Sequence, residues 1–494
     1  MKLNELFIGH VLTRPLPEIE IREITERSTA ANEASIFVCI PGTMVDGHTF
    51  APDAYARGCR VFLSQRPLEL PADATVIQVS DSRACLGPLA AKLYGPLSPE
   101  ICLIGITGTK GKTTTAHMIS HILNQNAIPT GYIGTNGVSF GAIHRPTSNT
   151  TPDPVTLWKT LLEMQAHGIR AVVLEVSSQA LMQHRVAGLT FDTVLFTNLF
   201  PDHIGPREHD SFDHYKACKK KLFTDFNAGT AIVNADDPYA TEMLESSSAQ
   251  RILRCGTNAP QADLTADHWH PLRLEAFLGI SFDLRTPYMP PLTCRLPLAG
   301  RGNVSNALLA LACANFRFSI PYASAVSTLS NVSVAGRSQV LPLPNGACAV
   351  IDYAHNGESL RQLLITLRDY APHRILCLFG SIGDRAKLRR RELGLVAAEL
   401  ADLCILTSDN PGQEDPEQIL EEIAAAFIDF DTPYLKITDR KDAIEKALKL
   451  LLPGDILLLA GKGHETYQLI GKQKLPFSEK EIIEAYVKQS LLPS

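Results

Sequence analysis

Short apolar runs, set off by polar, Gly- and Pro-containing stretches, give this chain its rhythm. In a first zone "SIFVCI" from Ser35, "RVFLSQ" from Arg60 and "ATVIQV" from Ala74 are each short enough for a buried strand. The zone closes at the Pro-rich "GPLSPE", which reads as a linker. From about residue 98 the pattern changes. "ICLIGI" is a strand run, followed at once by a Gly-rich turn and a segment whose Met118, Ile119, Ile122 and Leu123 fall at helical spacing. "AVVLEVSS", "TVLFTNL" and "AIVNADDP" repeat the form of an apolar strand with a polar end. After "LSNVSVAGR" a third zone carries "ACAVIDYAH", "HRILCLFGS", "ADLCILTSDNP" and "GDILLLAGKGHE", with the helical "PEQILEEIAAAFIDF" among them.

Strands that alternate with helices and end in polar groups predict an α/β fold of parallel sheets with ligands at the strand carboxyl ends. Three domains are expected: a small N-terminal α/β domain over 1–97, a central parallel-sheet domain with a phosphate loop over 98–333, and a C-terminal Rossmann-like domain over 334–494.

Composition narrows the function classes. The 494 residues suffice for roughly two to four domains. The formal charge of −6 supplies no basic field, so nucleic acid is not an expected partner. The 11 cysteines show neither a CxxC pair nor zinc-like spacing and are expected as reduced core thiols. The first residues lack the apolar core of a signal peptide, and no apolar run reaches the ~18 residues of a spanning helix. A cytoplasmic monomer without membrane insertion is the expectation.

The densest chemistry stands between "ICLIGI" and the helix after it: Gly105-Ile-Thr-Gly108-Thr109-Lys110-Gly111-Lys112-Thr113-Thr114. Such glycines let the backbone curl so that several N–H groups face an anion beside a helix N-terminus. Lys112 would reach outer phosphates, and the Thr113 hydroxyl could ligate Mg²⁺. The ordinary P-loop has glycine at position 106, where this chain has Ile. Glu175 at one strand end and Asp202-His203 after another could hold a second metal ion. Read singly, each is more ordinarily a helix cap or a surface group, and "YKACKKKLF" reads as a solvated basic face.

Taken together, "GITGTKGKTTT", "NTTPD", "LEVSSQALMQHRVA", "TNLFPDH", "YKACK", "GNVSNALLALA", "DYAHN", "GDR", "SDNP" and "GKGHE" resemble the Mur ligases of peptidoglycan synthesis over nearly the whole chain. Within that family, the pairing of "NTTPD", "EVSS…QHR", "SDNP" and "GKGHE" points to the branch that adds the third amino acid to UDP-MurNAc-L-Ala-D-Glu. The resemblance implies that ATP phosphorylates a carboxylate and that an amine attacks the acyl phosphate.

It also implies roles for residues. Gly108, Thr109, Lys110, Gly111, Lys112, Thr113 and Thr114 would hold the nucleotide phosphates, with Asn303 and Asn306 on the adenine side and Arg337 and Asp352 as further ATP contacts. Thr113, Glu175, His203 and Lys219 match metal-site positions, Lys219 as a carbamylated lysine. Lys112, Lys219 and His203 would be catalytic. Ser28 falls at a UDP position, and Asn149, Thr150, Thr151, Ser177, Gln183 and Arg185 at positions for the muramoyl dipeptide. Arg390, Asp409, Asn410, Gly461 and Glu465 would receive the amino acid, with Arg390 clamping its carboxylate and Glu465 its distal ammonium. Without the resemblance, Arg390 reads as part of a solvated basic stretch.

Several positions depart from the family pattern. Gly412 stands where diaminopimelate-using enzymes carry Arg, which favours L-lysine or a similar diamino acid over meso-diaminopimelate. Lys110 stands where Asn is usual, Gln179 where His is usual, and "TERST" around Ser28 where Asp-Ser-Arg is expected. A Mur-type ligase with another acceptor, such as a folate-type polyglutamate, and a catalytically silent nucleotide-binding subunit are the alternatives.

Overall fold

The computed structural model describes residues 1–7, 16–42, 45–205, 208–259, 261–274, 277–383 and 387–490. Asp384 and Arg385 of the "GDR" motif lie outside the described residues. Contacts divide the chain into two units. One comprises Met1–Cys255, Ala259–Ala262 and Ala312–Phe318, the other Gly256–Asn258, Asp263–Leu311 and Ser319–Ser494.

In the first unit, β1 (Glu23–Thr25), β2 (Ser35–Val38), β3 (Val61–Ser64) and β4 (Thr75–Gln78) form a parallel sheet in that order. β5 (Cys102–Thr107) is followed by β6 (Thr130–Gly134), β7 (Gly137–Phe140), β8 (Ile143–Arg145), β9 (Ala171–Glu175), β10 (Phe191–Phe196), β11 (Asn227–Asn234) and β12 (Arg251–Gly256). Their order is β12-β11-β10-β5-β9-β6-β7-β8, parallel as far as β6 and antiparallel through β7 and β8.

β5 lies between β9 and β10 and is buried at every position, which is why it reads as an unbroken apolar run rather than an alternation. The crossover helices start where the sequence caps them. Asp153 accepts from Thr156 N at 2.9 Å, with Pro154 opening the helix Pro154–Ala166. Ser211 accepts from His214 N at 3.1 Å at the start of Phe212–Thr224.

In the second unit, β13 (Leu264–Leu274), β14 (Phe277–Thr286) and β15 (Met289–Leu296) are antiparallel neighbours. Nothing in the strand–helix alternation anticipates them. The signal was a period of two in residue type: Leu278, Ile280, Phe282 and Leu284 of β14, all buried, alternate with Gly279, Ser281, Asp283 and Arg285.

β16 (Gln339–Pro342), β17 (Cys348–Asp352), β18 (Ile375–Phe379), β19 (Leu403–Leu406), β20 (Tyr434–Lys436) and β21 (Ile456–Ala460) form a sheet in the order β16-β17-β21-β18-β19-β20, with only the edge strand β16 antiparallel. β21 sits between β17 and β18, so the carboxyl ends of β17, β21 and β19 bring Asp352, Gly461 and Ser408 to one rim of the sheet. β22 (Tyr467–Ile470) and β23 (Gln473–Pro476) close the second unit as a hairpin.

Candidate active site

The first unit builds a site where β5 turns into the helix Lys112–Gln125. Gly108 has φ +147°, and a Cβ there would stand 1.9 Å from Thr197 Oγ1, so only glycine lets the loop pass the end of β10. Lys112 Nζ donates to the carbonyls of Gly108 at 2.9 Å and Thr109 at 3.1 Å. Asn198 fastens the loop by accepting from Lys110 N through its side chain at 2.9 Å and from Thr109 N through its carbonyl at 2.8 Å. The Lys110 side chain, which has no place in the family's loop pattern, forms an ion pair with Asp202 at 3.6 Å.

Thr113, in the first turn of the helix, donates to Glu175 Oε2 at 3.0 Å. Glu175, fully buried at the end of β9, also accepts from Tyr132 Oη at 2.5 Å, Thr135 N at 3.1 Å and Thr135 Oγ1 at 3.3 Å. These bonds hold its carboxylate in one orientation. The pair fits Mg²⁺: both donors are oxygens, and 3.0 Å is the spacing of adjacent ligands on an octahedral ion with bonds of about 2.1 Å.

The helix Phe212–Thr224 is not a uniformly solvated basic face. Lys216 and Lys220 pair outside with Glu242 at 3.1 Å and Glu245 at 3.0 Å, while Lys219 turns inward and is 1% exposed. Lys219 Nζ donates to Gly108 O at 2.7 Å and lies 4.5 Å from the centre of the Tyr215 ring. Burial, and then the like charge of Lys112, push its pKa well below that of an ordinary lysine. Tyr215 donates to Thr109 Oγ1 at 3.1 Å, tying the helix to the loop. His203 stands at the rim, half-exposed with φ +55°, its Nδ1 3.1 Å from Glu208 and its ring 6.1 Å from that of Tyr215.

Four of the residues expected at the dipeptide converge. Arg185 donates to Thr151 O at 2.8 Å and to Gln183 Oε1 at 2.7 Å, and Thr151 Oγ1 donates to Glu175 O at 2.8 Å and accepts from Ser177 N at 3.1 Å. Thr150 joins through Thr135, 3.2 Å between hydroxyls. Asn149 is exposed, and its amide meets Ser148 at 3.4 Å. Ser28 lies in the turn Ser28–Ala30, where its hydroxyl, together with Arg57, holds the Asp53 carboxyl below the usual range.

The second unit gathers a different set. Asp352 ends β17 and accepts from Ser338 N at 2.7 Å and Ala354 N at 2.8 Å. The Arg337 guanidinium lies 5.1 Å over the Tyr353 ring. Asn303 donates to Ala299 O at 2.7 Å and accepts from Asn306 at 3.0 Å, which fixes both amides at the start of the helix Gly302–Phe318. Asn410 donates to Glu465 Oε2 at 2.9 Å, and a Cβ on Gly461 would stand 2.9 Å from Asp409 Oδ2.

Two cations of this set have surroundings that the residues alone do not display. Arg390 does not lie in a solvated stretch. It is 1% exposed and both arms of its guanidinium are engaged, by Glu414 and Glu422 at 2.7 Å each, so its fork is already filled by two carboxylates of its own unit. The ammonium beside Glu465 is Lys462, which sequence reasoning passed over: fully buried, it lies 3.1 Å from Glu465, 3.2 Å from Asn410 Oδ1 and 3.6 Å from Asp409. Arg440 was missed as well. Buried against Glu479, it donates to Ser408 O at 3.1 Å and Ala460 O at 3.0 Å and so joins the "SDNP" and "GKGHE" segments. Gly412 has φ +60° and its backbone bonds to Leu469 O at 3.2 Å and Gly471 N at 2.7 Å, a conformation that favours glycine over arginine.

Comparison with known proteins places this arrangement. The chain matches the Mur ligase middle domain over residues 106–314, the Mur ligase glutamate ligase domain over 336–463 and the Mur ligase family catalytic domain over 20–94. It is 34% identical to a UDP-N-acetylmuramoyl-L-alanyl-D-glutamate–2,6-diaminopimelate ligase of Caldanaerobacter subterraneus, covering 96% of each chain. It is 37% identical to the protein of the same name from Chlorobaculum tepidum, over 95% of this chain and 93% of that one. A solved structure of a ligase with this name superposes with a TM-score of 0.72 at 27% identity, covering both chains in full. These relatives are named for diaminopimelate, which leaves the preference for L-lysine drawn from Gly412 without support. The chain belongs to the Mur ligase family and is an ATP-dependent ligase.

Proposed function

We propose that this ligase joins 2,6-diaminopimelate to the D-Glu carboxylate of UDP-MurNAc-L-Ala-D-Glu, in the cytoplasm and as a monomer. Its curated relatives carry that substrate pair in their names. The observation that carries the reading is Lys219, a buried amine between the phosphate-loop carbonyl of Gly108 and the Lys112 ammonium.

A carboxylate is inert toward amines at neutral pH. In this reading the D-Glu carboxylate attacks the outer phosphorus of ATP, ADP leaves, and the resulting acyl phosphate is open to the amine, which expels phosphate as the amide forms. Lys112 offsets charge on the transferring group. Mg²⁺, held by Thr113, Glu175 and His203, would neutralise the phosphate oxygens. Burial and Lys112 lower the Lys219 pKa and so favour its amine form, which can add to carbon dioxide and lose a proton; the carbamate so formed is a carboxylate-like group facing the phosphate loop.

Residues 1–97, with Ser28, hold the UDP-sugar in this assignment. Arg185, Gln183, Thr151, Thr150, Asn149 and Ser177 orient the dipeptide. Asn303, Asn306, Arg337 and Asp352 bind ATP. Asp409, Asn410, Gly461 and Glu465 receive the diamino acid. Asp409, Glu465 and Lys462 sum to one negative charge, which suits an incoming ammonium. Arg390, which pairs with Glu414 and Glu422, is assigned the carboxylate of the incoming amino acid, and Gly412 stands where an Arg is usual.

Phosphate release from ATP with UDP-MurNAc-L-Ala-D-Glu, measured against a panel of amino acids, tests the reading. Diaminopimelate should stimulate release most. Stimulation by L-lysine or ornithine alone would reject the amino-acid assignment, and no stimulation by any would reject the reaction.

A further inference from the structure

Three donor atoms beside the phosphate loop are given no part in the ligase chemistry proposed above. His209 is fully buried, its Nε2 2.9 Å from Ser178 Oγ, and its Nδ1 has no hydrogen-bond partner among the described residues. His214 and Cys218 stand one turn apart on the helix Phe212–Thr224 and so share a face. His214 Nδ1 also lacks a hydrogen-bond partner; the exposed Asp210 carboxylate is 3.8 Å away. One nitrogen from each imidazole and the Cys218 sulfur all lie within 4.8 Å of one another, and the two rings are 5.1 Å apart at 80°. A buried core histidine ordinarily satisfies both nitrogens. His209 leaves one bare, in a ring that stands beside a second imidazole and a thiol.

We propose that His209, His214 and Cys218 form a site for a thiophilic cation, Zn²⁺ foremost, separate from the oxygen donors Thr113 and Glu175. Two imidazoles and a sulfur with no carboxylate among them select zinc over magnesium. With Ser178 Oγ accepting from His209 Nε2–H, the tautomer would leave the Nδ1 lone pair for the metal. On binding, the Zn–S bond replaces the Cys218 S–H bond and the proton passes to solvent; nothing is oxidised. The partly exposed His214 gives the ion its way in.

Occupancy has a consequence for catalysis, and this part rests on the roles proposed for Lys219 and His203. Cys218 directly precedes Lys219, and His209 N donates to His203 O at 3.0 Å. A cation bridging His209 to the helix pins both neighbours, so zinc lowers turnover.

The test uses the full chain with Zn²⁺ or Co²⁺ alone as probe, so that binding is read independently of activity. Equilibrium dialysis in excess Mg²⁺ should give one zinc per chain. Co²⁺ should develop a thiolate-to-cobalt charge-transfer band that Cys218→Ser abolishes. His214→Ala, at a partly exposed position that tolerates truncation, should weaken zinc binding about tenfold or more. Absence of the band in the unaltered protein overturns the site whatever the variants do, and so does its persistence in Cys218→Ser. Zinc inhibition of equal strength in the unaltered protein and in both variants overturns the link to catalysis.

Discussion

Among the described residues two lysines are sealed from solvent, one in each unit, and their surroundings are opposite. Lys462 lies among Glu465, Asp409 and the Asn410 carbonyl, so its charge is matched on the spot. Lys219 meets one backbone carbonyl, the face of a tyrosine and the like charge of Lys112, with Asp202 as the weaker opposing attraction. A buried charge persists where it is paired and is otherwise shed by a shift in pKa. Lys462 is therefore a strut that holds two carboxylates in place, whereas Lys219 has its pKa held down by burial and by Lys112. Burial alone does not reveal a lysine's job; the charges around it do.

Removing the strut should have the largest effect. Lys462→Met leaves Asp409 and Glu465 facing each other without a cation and should cost about 3–5 kcal/mol in urea unfolding. A loss under about 1 kcal/mol would erase the contrast between the two lysines.

His209 extends the comparison to a third buried base. Burial, then the charges of His214 and Lys219, lower its pKa from 6.5 to about 4. The unfolded chain takes up a proton between those values that the folded chain refuses. Stability is thus full above pH 6.5 and falls as the pH drops toward 4, by about 3 kcal/mol from this group. In His209→Asn that share of the pH dependence should vanish; an unchanged acid limb would assign it elsewhere.

Lys219→Ala should lower phosphate release by about 100-fold or more, with partial rescue by acetate or bicarbonate standing in for the carbamate. Full turnover in the variant without either addition would end the carbamate proposal. Stability should move the other way. Since the folded pKa is depressed, the unfolded chain holds this proton up to a higher pH than the folded chain does, so Lys219→Met should be more stable than the unaltered protein at pH 7. The advantage should shrink as the pH rises toward 10.5, and a pH-independent difference would contradict it. Least of all, Lys110→Asn removes a half-exposed pair with Asp202 and should cost under about 1 kcal/mol, read from the unfolding midpoint.

The phosphate loop was legible in the sequence because its parts are contiguous: strand, glycines, Lys112 and Thr113 follow one another, and chain geometry does the rest. So were the strands of the second sheet, whose apolar runs need no partner to be recognised. Arg440 and Lys462 were missed, and the solvated-stretch reading of Arg390 failed, for one reason. A sequence displays a charge but not the carboxylate that neutralises it, and Glu414 and Glu422 lie 24 and 32 residues from Arg390. The metal-type cluster escaped similarly, because its spacing fits no familiar ligand motif and only the helix turn between His214 and Cys218 makes neighbours of them. β13 to β15 escaped for another reason: attention to strand–helix alternation hid a plain two-residue period.

Gly336 carries a consequence for how this chain can vary. A Cβ on it would stand 2.1 Å from His464 N and 2.3 Å from Gly463 C, so the backbone before Arg337 and the backbone of "GKGHE" are interlocked with no room for one more carbon. Positions 336 and 463 should therefore drift together through descent. A lineage that loses the first glycine is expected to have rebuilt the second segment, and a library randomised at either position alone should return little besides the parent residue.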